Sequence, residues 1–129
     1  MAIDLLAAAR TARERARAGY SGFKVGAAIE TSDGRVFTGC NIENASYGLT
    51  LCAERVAIFK ALSEGADRFT RIAVVADTAD PTPPCGPCRQ ILWEYAGDIE
   101  VILGNLEGET ARHRTTDLLP LPFDARLLR

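Results

Sequence analysis

The 129 residues include 15 basic and 17 acidic side chains, for a net charge of −2 and a pI near 5.4, with 47% hydrophobic and 25% charged residues. That balance excludes a disordered, collagen-like or coiled-coil chain and supplies no basic field for a polyanion, so nucleic acid is not an expected partner. The length suits one domain over residues 1–129, and no apolar run approaches the ~18 residues of a membrane span.

The start MAIDLLAAAR has no basic n-region and places Asp4 ahead of its short apolar stretch, so a cytoplasmic chain is expected rather than an exported one. Leu5, Ala9, Ala12 and Ala16 recur at helical spacing between Asp4 and Gly19 and predict a surface helix, with Arg10, Arg13, Glu14 and Arg17 on its other faces. VGAAIE and RVFTGCN, joined by TSDG, predict an antiparallel hairpin, because Asp-Gly favours a tight turn. The polar stretch NIENASYGLT, 41–50, shows neither period and reads as a loop of functional length. CAERVAIFKALSEG predicts a second helix running to Gly65, with Ala57, Ile58, Ala61 and Leu62 in its apolar stripe.

RIAVVAD, 71–77, is the continuous apolar run of a strand buried on both faces. ADPTPP breaks regularity, and Gly86-Pro87 opens a third helix to about Ala96, proline being suited to a first turn. IEVILGN, 99–105, is the next buried strand, followed by a short strand around ARHRTT and a terminal turn at DLLPLPF. The alternation predicts an α/β fold, a mixed sheet of about five strands with helices on its faces.

Cysteines stand at 40, 52, 85 and 88, and without an export signal they are expected as thiols or metal ligands. CGPC invites a dithiol redox assignment, but only 41 residues follow Cys88, too few for the rest of a thioredoxin fold, and Pro84 stands where that family has an aromatic. A metal accounts for more. The C-x-x-C pair brings two thiolates to one point, and Cys52 at another helix start supplies a third corner of a tetrahedron. With the fourth corner open to water, zinc lowers that water's pKa toward ~7, and the chemistry then needs a nearby carboxylate to shuttle protons. Glu54 stands two residues after Cys52.

Spacing alone does not separate this open site from a closed four-cysteine one that recruits Cys40 in a non-enzymatic zinc module. Cys40 shares a strand face with Val36 and Thr38, which favours plain packing, and a closed site has no use for Glu54. His113, the one histidine, lies far from both cysteine groups in sequence and is read as an ordinary strand residue.

The segments NIENASYGLTLCAERVAIFKA and PCGPCRQ resemble the small homo-oligomeric cytidine deaminases, and the similarity extends from about Tyr20 to Phe123. Cys52-Ala53-Glu54 with P-C-x-x-C at 84–88 matches the zinc-deaminase signature in its three-cysteine form. The resemblance implies a three-layer α/β/α sandwich, one zinc per chain and a homotetramer with composite sites. It also implies hydrolysis of cytidine and 2'-deoxycytidine to uridine and 2'-deoxyuridine with loss of ammonia, as in pyrimidine salvage. It makes Cys52, Cys85 and Cys88 the metal ligands and Glu54 the proton shuttle. It puts Phe23 against the pyrimidine, Asn41 and Glu43 on the ribose hydroxyl and the Ala53 backbone amide at the substrate. Tyr47 and Phe123 would reach into a neighbouring subunit's site.

Three thiolates leave a net negative centre, so charge must be withdrawn from the sulfurs; two helix N-termini and Arg55 can do this, and Gln90 is expected beside them. A deaminase of a modified aminopyrimidine nucleoside, such as an antibiotic, is the rival within the class, and the ribose-holding NIEN segment does not support it.

Overall fold

Residues 4–128 are described by the computed structural model. They run through α1 (Leu5–Arg13), β1 (Val25–Thr31), β2 (Val36–Cys40), α2 (Ala53–Ser63), β3 (Phe69–Ala76), α3 (Gly86–Ala96), β4 (Glu100–Gly104), β5 (Thr110–Arg114) and α4 (Thr115–Leu118). Short 3-10 turns lie at Tyr47–Leu49 and Ala125–Leu128.

The strands form one sheet in the order β2-β1-β3-β4-β5. β1 is antiparallel to both β2 and β3, β3 is parallel to β4, and β4 is antiparallel to β5. β2, β3 and β4 therefore point the same way, and the helices that follow β2 and β3 begin at the same edge. In open α/β sheets that carboxyl edge is where ligands bind.

Successive strand residues face opposite sides of a sheet, and the two sides here have different covers. Ala28, Ala73, Val75 and Ile102 pack under α1 through Leu5 and Ala9. Ala27, Ile29, Ile72, Val74, Val101 and Leu103 pack with Ala57, Ile58, Ala61 and Leu92 of α2 and α3. The result is the three-layer α/β/α sandwich expected. Ile29, Ile58, Ile72 and Leu92 are fully enclosed, each contributing about 1.5–3 kcal/mol of burial.

Two glycines set how closely the helices approach. A Cβ on Gly39 of β2 would lie 2.5 Å from the Ala57 nitrogen and 2.6 Å from the Ala53 carbonyl oxygen, so only glycine lets the first turns of α2 rest on the sheet. On the other face a Cβ on Gly26 would lie 2.0 Å from the Ala9 carbonyl oxygen of α1.

Asp4 caps α1 by accepting a hydrogen bond from the Ala7 N–H at 3.1 Å. The helix stops at Arg13, short of the Ala16–Gly19 end that periodicity predicts. Tight turns follow it, and Arg17 then pairs with Ile42, its N–H donating to the Asn41 carbonyl and its own carbonyl accepting from Glu43. This long-range pairing outweighs the helical preference of residues 14–18. The last strand also ends earlier than expected, at Arg114, because Thr115–Leu118 coil into α4. Asp117 accepts from the Arg114 N–H at the start of that helix. No helix of the described residues is long and apolar enough to cross a membrane.

Candidate active site

Cys52 is the N-cap residue of α2 and Cys85 that of α3, both in extended backbone, and neither side chain caps its helix. The first-turn N–H groups of both helices are therefore left with the positive end of each helix dipole at the sulfurs. Cys88, fully buried, lies one turn into α3. The Cys52 and Cys85 sulfurs are 3.6 Å apart and those of Cys85 and Cys88 3.4 Å, and all three lie within 4.8 Å of one another.

Tetrahedral thiolates around zinc, with Zn–S of ~2.3 Å, sit about 3.8 Å apart, so this cluster has the spacing of a zinc site before any ion is considered. Cys40 lies outside it. That thiol lines a separate crevice with Ala12, Thr38, Val56 and Lys60, and among the described residues the one group with metal-ligand spacing is Cys52, Cys85 and Cys88.

The electrostatics follow from the same geometry. The Cys52 thiol is held down at about 5, chiefly by a hydrogen bond from Cys88 and then by the Arg55 guanidinium. Arg55 Nη2 lies 3.3 Å from the Cys52 sulfur and 3.4 Å from the Thr50 carbonyl, so it draws charge from the sulfur as expected. Cys88 moves upward, through its bond to Cys52 and its burial. Metal uptake must release its proton.

Glu54 is buried at 5% exposure, and burial pushes its carboxyl up to about 7, with the Cys52 thiolate adding to the effect. A carboxyl poised there both accepts and returns protons near neutral pH.

A cavity of about 230 Å³ opens beside the cluster, lined by Phe23, Asn41, Glu43, Cys52, Ala53, Glu54 and Cys85, with Val25, Thr50, Leu51, Val74, Thr82 and Pro83 completing its wall. Phe23 is half exposed at its rim. The Asn41 amide is largely committed to the backbone: Oδ1 accepts from the Val25 N–H at 2.9 Å and Nδ2 donates to the Phe23 carbonyl at 2.8 Å. One N–H and one lone pair remain for a ligand. Glu43 accepts from the Ser21 hydroxyl and from the Ser21 and Tyr20 N–H groups, each N–H at 3.0 Å, and these bonds lower its carboxyl pKa.

Three expected site residues lie elsewhere in this chain. Tyr47, 68% exposed, packs edge-on against Tyr20 at 6.1 Å and does not line the cavity. Phe123 is likewise exposed, outside it. Gln90, expected beside the sulfurs, instead donates to the Phe123 carbonyl at 2.6 Å, because it faces the C-terminal segment across α3.

Sequence reasoning misses Val25, Thr50, Leu51, Val74, Thr82 and Pro83 as parts of the wall. The ADPTPP break marks the segment of the last two, but only the sheet topology brings it to the cavity that Phe23 lines.

The model of the cytidine and deoxycytidylate deaminase zinc-binding region matches residues 2–104. A cytidine deaminase of Halalkalibacterium halodurans is 54% identical over 122 residues, spanning 94% of this chain and 92% of that one. Another, from Sporosarcina psychrophila, is 48% identical over 120 residues, spanning 92% and 88%. The crystal structure of a cytidine deaminase from Burkholderia pseudomallei superposes with a TM-score of 0.90 at 52% identity, covering 92% of this chain and 96% of that one.

Proposed function

The chain belongs to the cytidine and deoxycytidylate deaminase family, and from that membership we infer a zinc-dependent hydrolase that converts cytidine and water to uridine and ammonia, and acts likewise on 2'-deoxycytidine. The observation that carries the assignment to this chain's own residues is the buried Glu54 carboxyl beside three sulfurs at metal-ligand spacing, in the wall of one cavity.

Cys52, Cys85 and Cys88 would hold one zinc per chain, their sulfurs lying within 4.8 Å of one another. When bound, that ion supplies Lewis acidity that makes hydroxide available near neutral pH. Glu54 takes up the proton released, gives it to ring N3 as oxygen adds at C4, and then carries the added oxygen's remaining proton to the departing amine, so that ammonia leaves and the carbonyl of uridine forms. Phe23 packs on the base, the Ala53 N–H meets the substrate at the start of α2, and Asn41 and Glu43 bind the sugar hydroxyl. Arg55 draws charge from Cys52. The largely apolar wall limits bulk water around the reacting atoms.

Tyr47 and Phe123 complete the site of a neighbouring subunit in a homotetramer. Their exposure, together with their place outside this chain's own cavity, supports that role. Light scattering should give four times the 13.9 kDa chain mass, and a fully active monomer would refute the composite site. Thiols that must stay reduced to hold a metal suit a cytoplasmic enzyme, and a product with base and sugar still joined suits pyrimidine salvage.

Incubation of the purified protein with cytidine tests the activity. The ultraviolet spectrum should shift to that of uridine with one ammonia released per turnover; no spectral change with zinc in place would reject the assignment.

A further inference from the structure

The segment that delivers Cys85 cannot hold itself by its backbone. Pro81, Pro83 and Pro84 have no N–H to donate, and among the described residues 78–84 make no backbone–backbone hydrogen bond in turns or loops. Side chains fix it at both ends instead.

Upstream, Asn105 follows β4 and is 1% exposed. Its Nδ2 donates to the Ala79 carbonyl at 2.9 Å, while its Oδ1 accepts the N–H groups of Glu107 and Glu109, each at 3.0 Å. The Thr78 and Thr82 hydroxyls, 2.8 Å apart, close the bend between that anchor and the prolines. Downstream, Arg89 Nε donates to the carbonyl of the buried Pro84 at 2.7 Å, and Nη1 reaches the Leu118 carbonyl at 2.9 Å. Between the two anchors the proline rings fix φ, so a displacement at Ala79 reaches Cys85 as movement of a stiff strut instead of being absorbed by rotation.

We propose that Asn105 is a positioning residue for the metal centre: by tying the end of β4 to Ala79 it sets where the proline strut presents Cys85, with Arg89 as the second anchor. The proposal rests on the three-cysteine zinc assignment above. Asn105 belongs to neither the ligand set nor the cavity wall, and its effect passes through backbone. Groups that orient a metal ligand commonly change affinity by about 10–100-fold when altered, and a group acting one step further out falls at the lower end.

The test times zinc release from the zinc-loaded, full-length protein to a chromogenic chelator, with thermal melting recorded alongside. Asn105→Asp keeps an acceptor for the Glu107 and Glu109 N–H groups but sets a carboxylate oxygen against the Ala79 carbonyl. Asn105→Ser is the second variant, should the first not fold. Thr31→Val is the control, since Thr31 is also buried and bonds Asp33 and Arg35, away from the strut and both its anchors. Both Asn105 variants should release zinc on the order of tenfold faster than the parent. Thr31→Val should lower the melting temperature while releasing zinc at the parent rate. Parent-like release from the Asn105 variants, or equal acceleration in Thr31→Val, would overturn the proposal. A parent that takes up no zinc would remove the three-cysteine assignment itself.

Discussion

The two approaches to the metal-ligand cluster share a plan and differ in content. Each runs from the carboxyl end of a strand through a loop to a helix whose N-cap is a cysteine. The first, residues 41–54, is polar: Asn41 and Glu43 line the cavity, and Glu54 follows Cys52 at the helix start. The second, 77–88, is stiffened by prolines, brings two sulfurs and has no carboxylate lining the cavity. The contrast separates two tasks. On the proposed function, the first arm brings one metal ligand together with the groups for substrate and protons, and the second brings the other two ligands and part of the cavity wall.

Glu54→Gln tests the division most severely. Removing the proton carrier while leaving all three sulfurs should cost on the order of 10²–10⁴-fold in kcat with zinc content unchanged. Near-normal turnover would place the base elsewhere and dissolve the contrast.

Within the first arm, Asn41 and Glu43 should come apart. Free cytosine should be a far poorer substrate than cytidine, and Glu43→Ala should cost cytidine about 1–3 kcal/mol, roughly 10–100-fold in kcat/KM, while changing the cytosine reaction little. Asn41→Ala should damage both reactions, because its amide also anchors Phe23 and Val25. Comparing kcat/KM for the two substrates across the variants checks this, and proportional losses in Glu43→Ala would remove the sugar contact.

The placement of the first arm can be disturbed without touching its chemistry. Gly39→Ala and Gly26→Ala both force a Cβ into helix backbone and should each destabilise by about 1–3 kcal/mol, read as a lower melting temperature. Only Gly39→Ala should also depress kcat, since it displaces the helix start bearing Cys52 and Glu54.

The smallest effect lies at the opposite edge of the sheet. Arg71 holds the Glu30 carboxylate at 2.8 Å and lowers its pKa. A carboxylate lowered on folding adds stability at pH values above its unfolded value of ~4.3, and that gain is lost as pH falls through the folded value. Arg71→Gln should therefore melt a few degrees below the parent at pH 7, for about 1 kcal/mol, with the gap closing in acid and activity per folded molecule unchanged.

Much of this contrast is legible in the sequence. The hairpin, the helices beginning at Cys52 and Gly86 and the apolar strands follow from local periodicity and turn chemistry, and the C-x-x-C spacing with Cys52 and Glu54 marks the chemistry. The early end of α1 is not legible, because it depends on Arg17 pairing with a residue 25 positions away. The partner of Gln90 is not legible for a related reason. Cys88, two positions earlier, faces the cluster, but helix residues two apart point about 200° apart, and Gln90 meets the C-terminal segment. Asn105 reads in sequence as a turn residue, and its hold on Ala79 exists only because β3 and β4 are parallel neighbours.

The central claim is an open three-cysteine centre from which Cys40 is excluded, and metal analysis of the parent, Cys40→Ser and Cys88→Ser tests it most directly. One zinc per chain should be retained by the parent and by Cys40→Ser and lost from Cys88→Ser. Loss of zinc from Cys40→Ser with the fold intact would show a closed four-cysteine site and contradict the account.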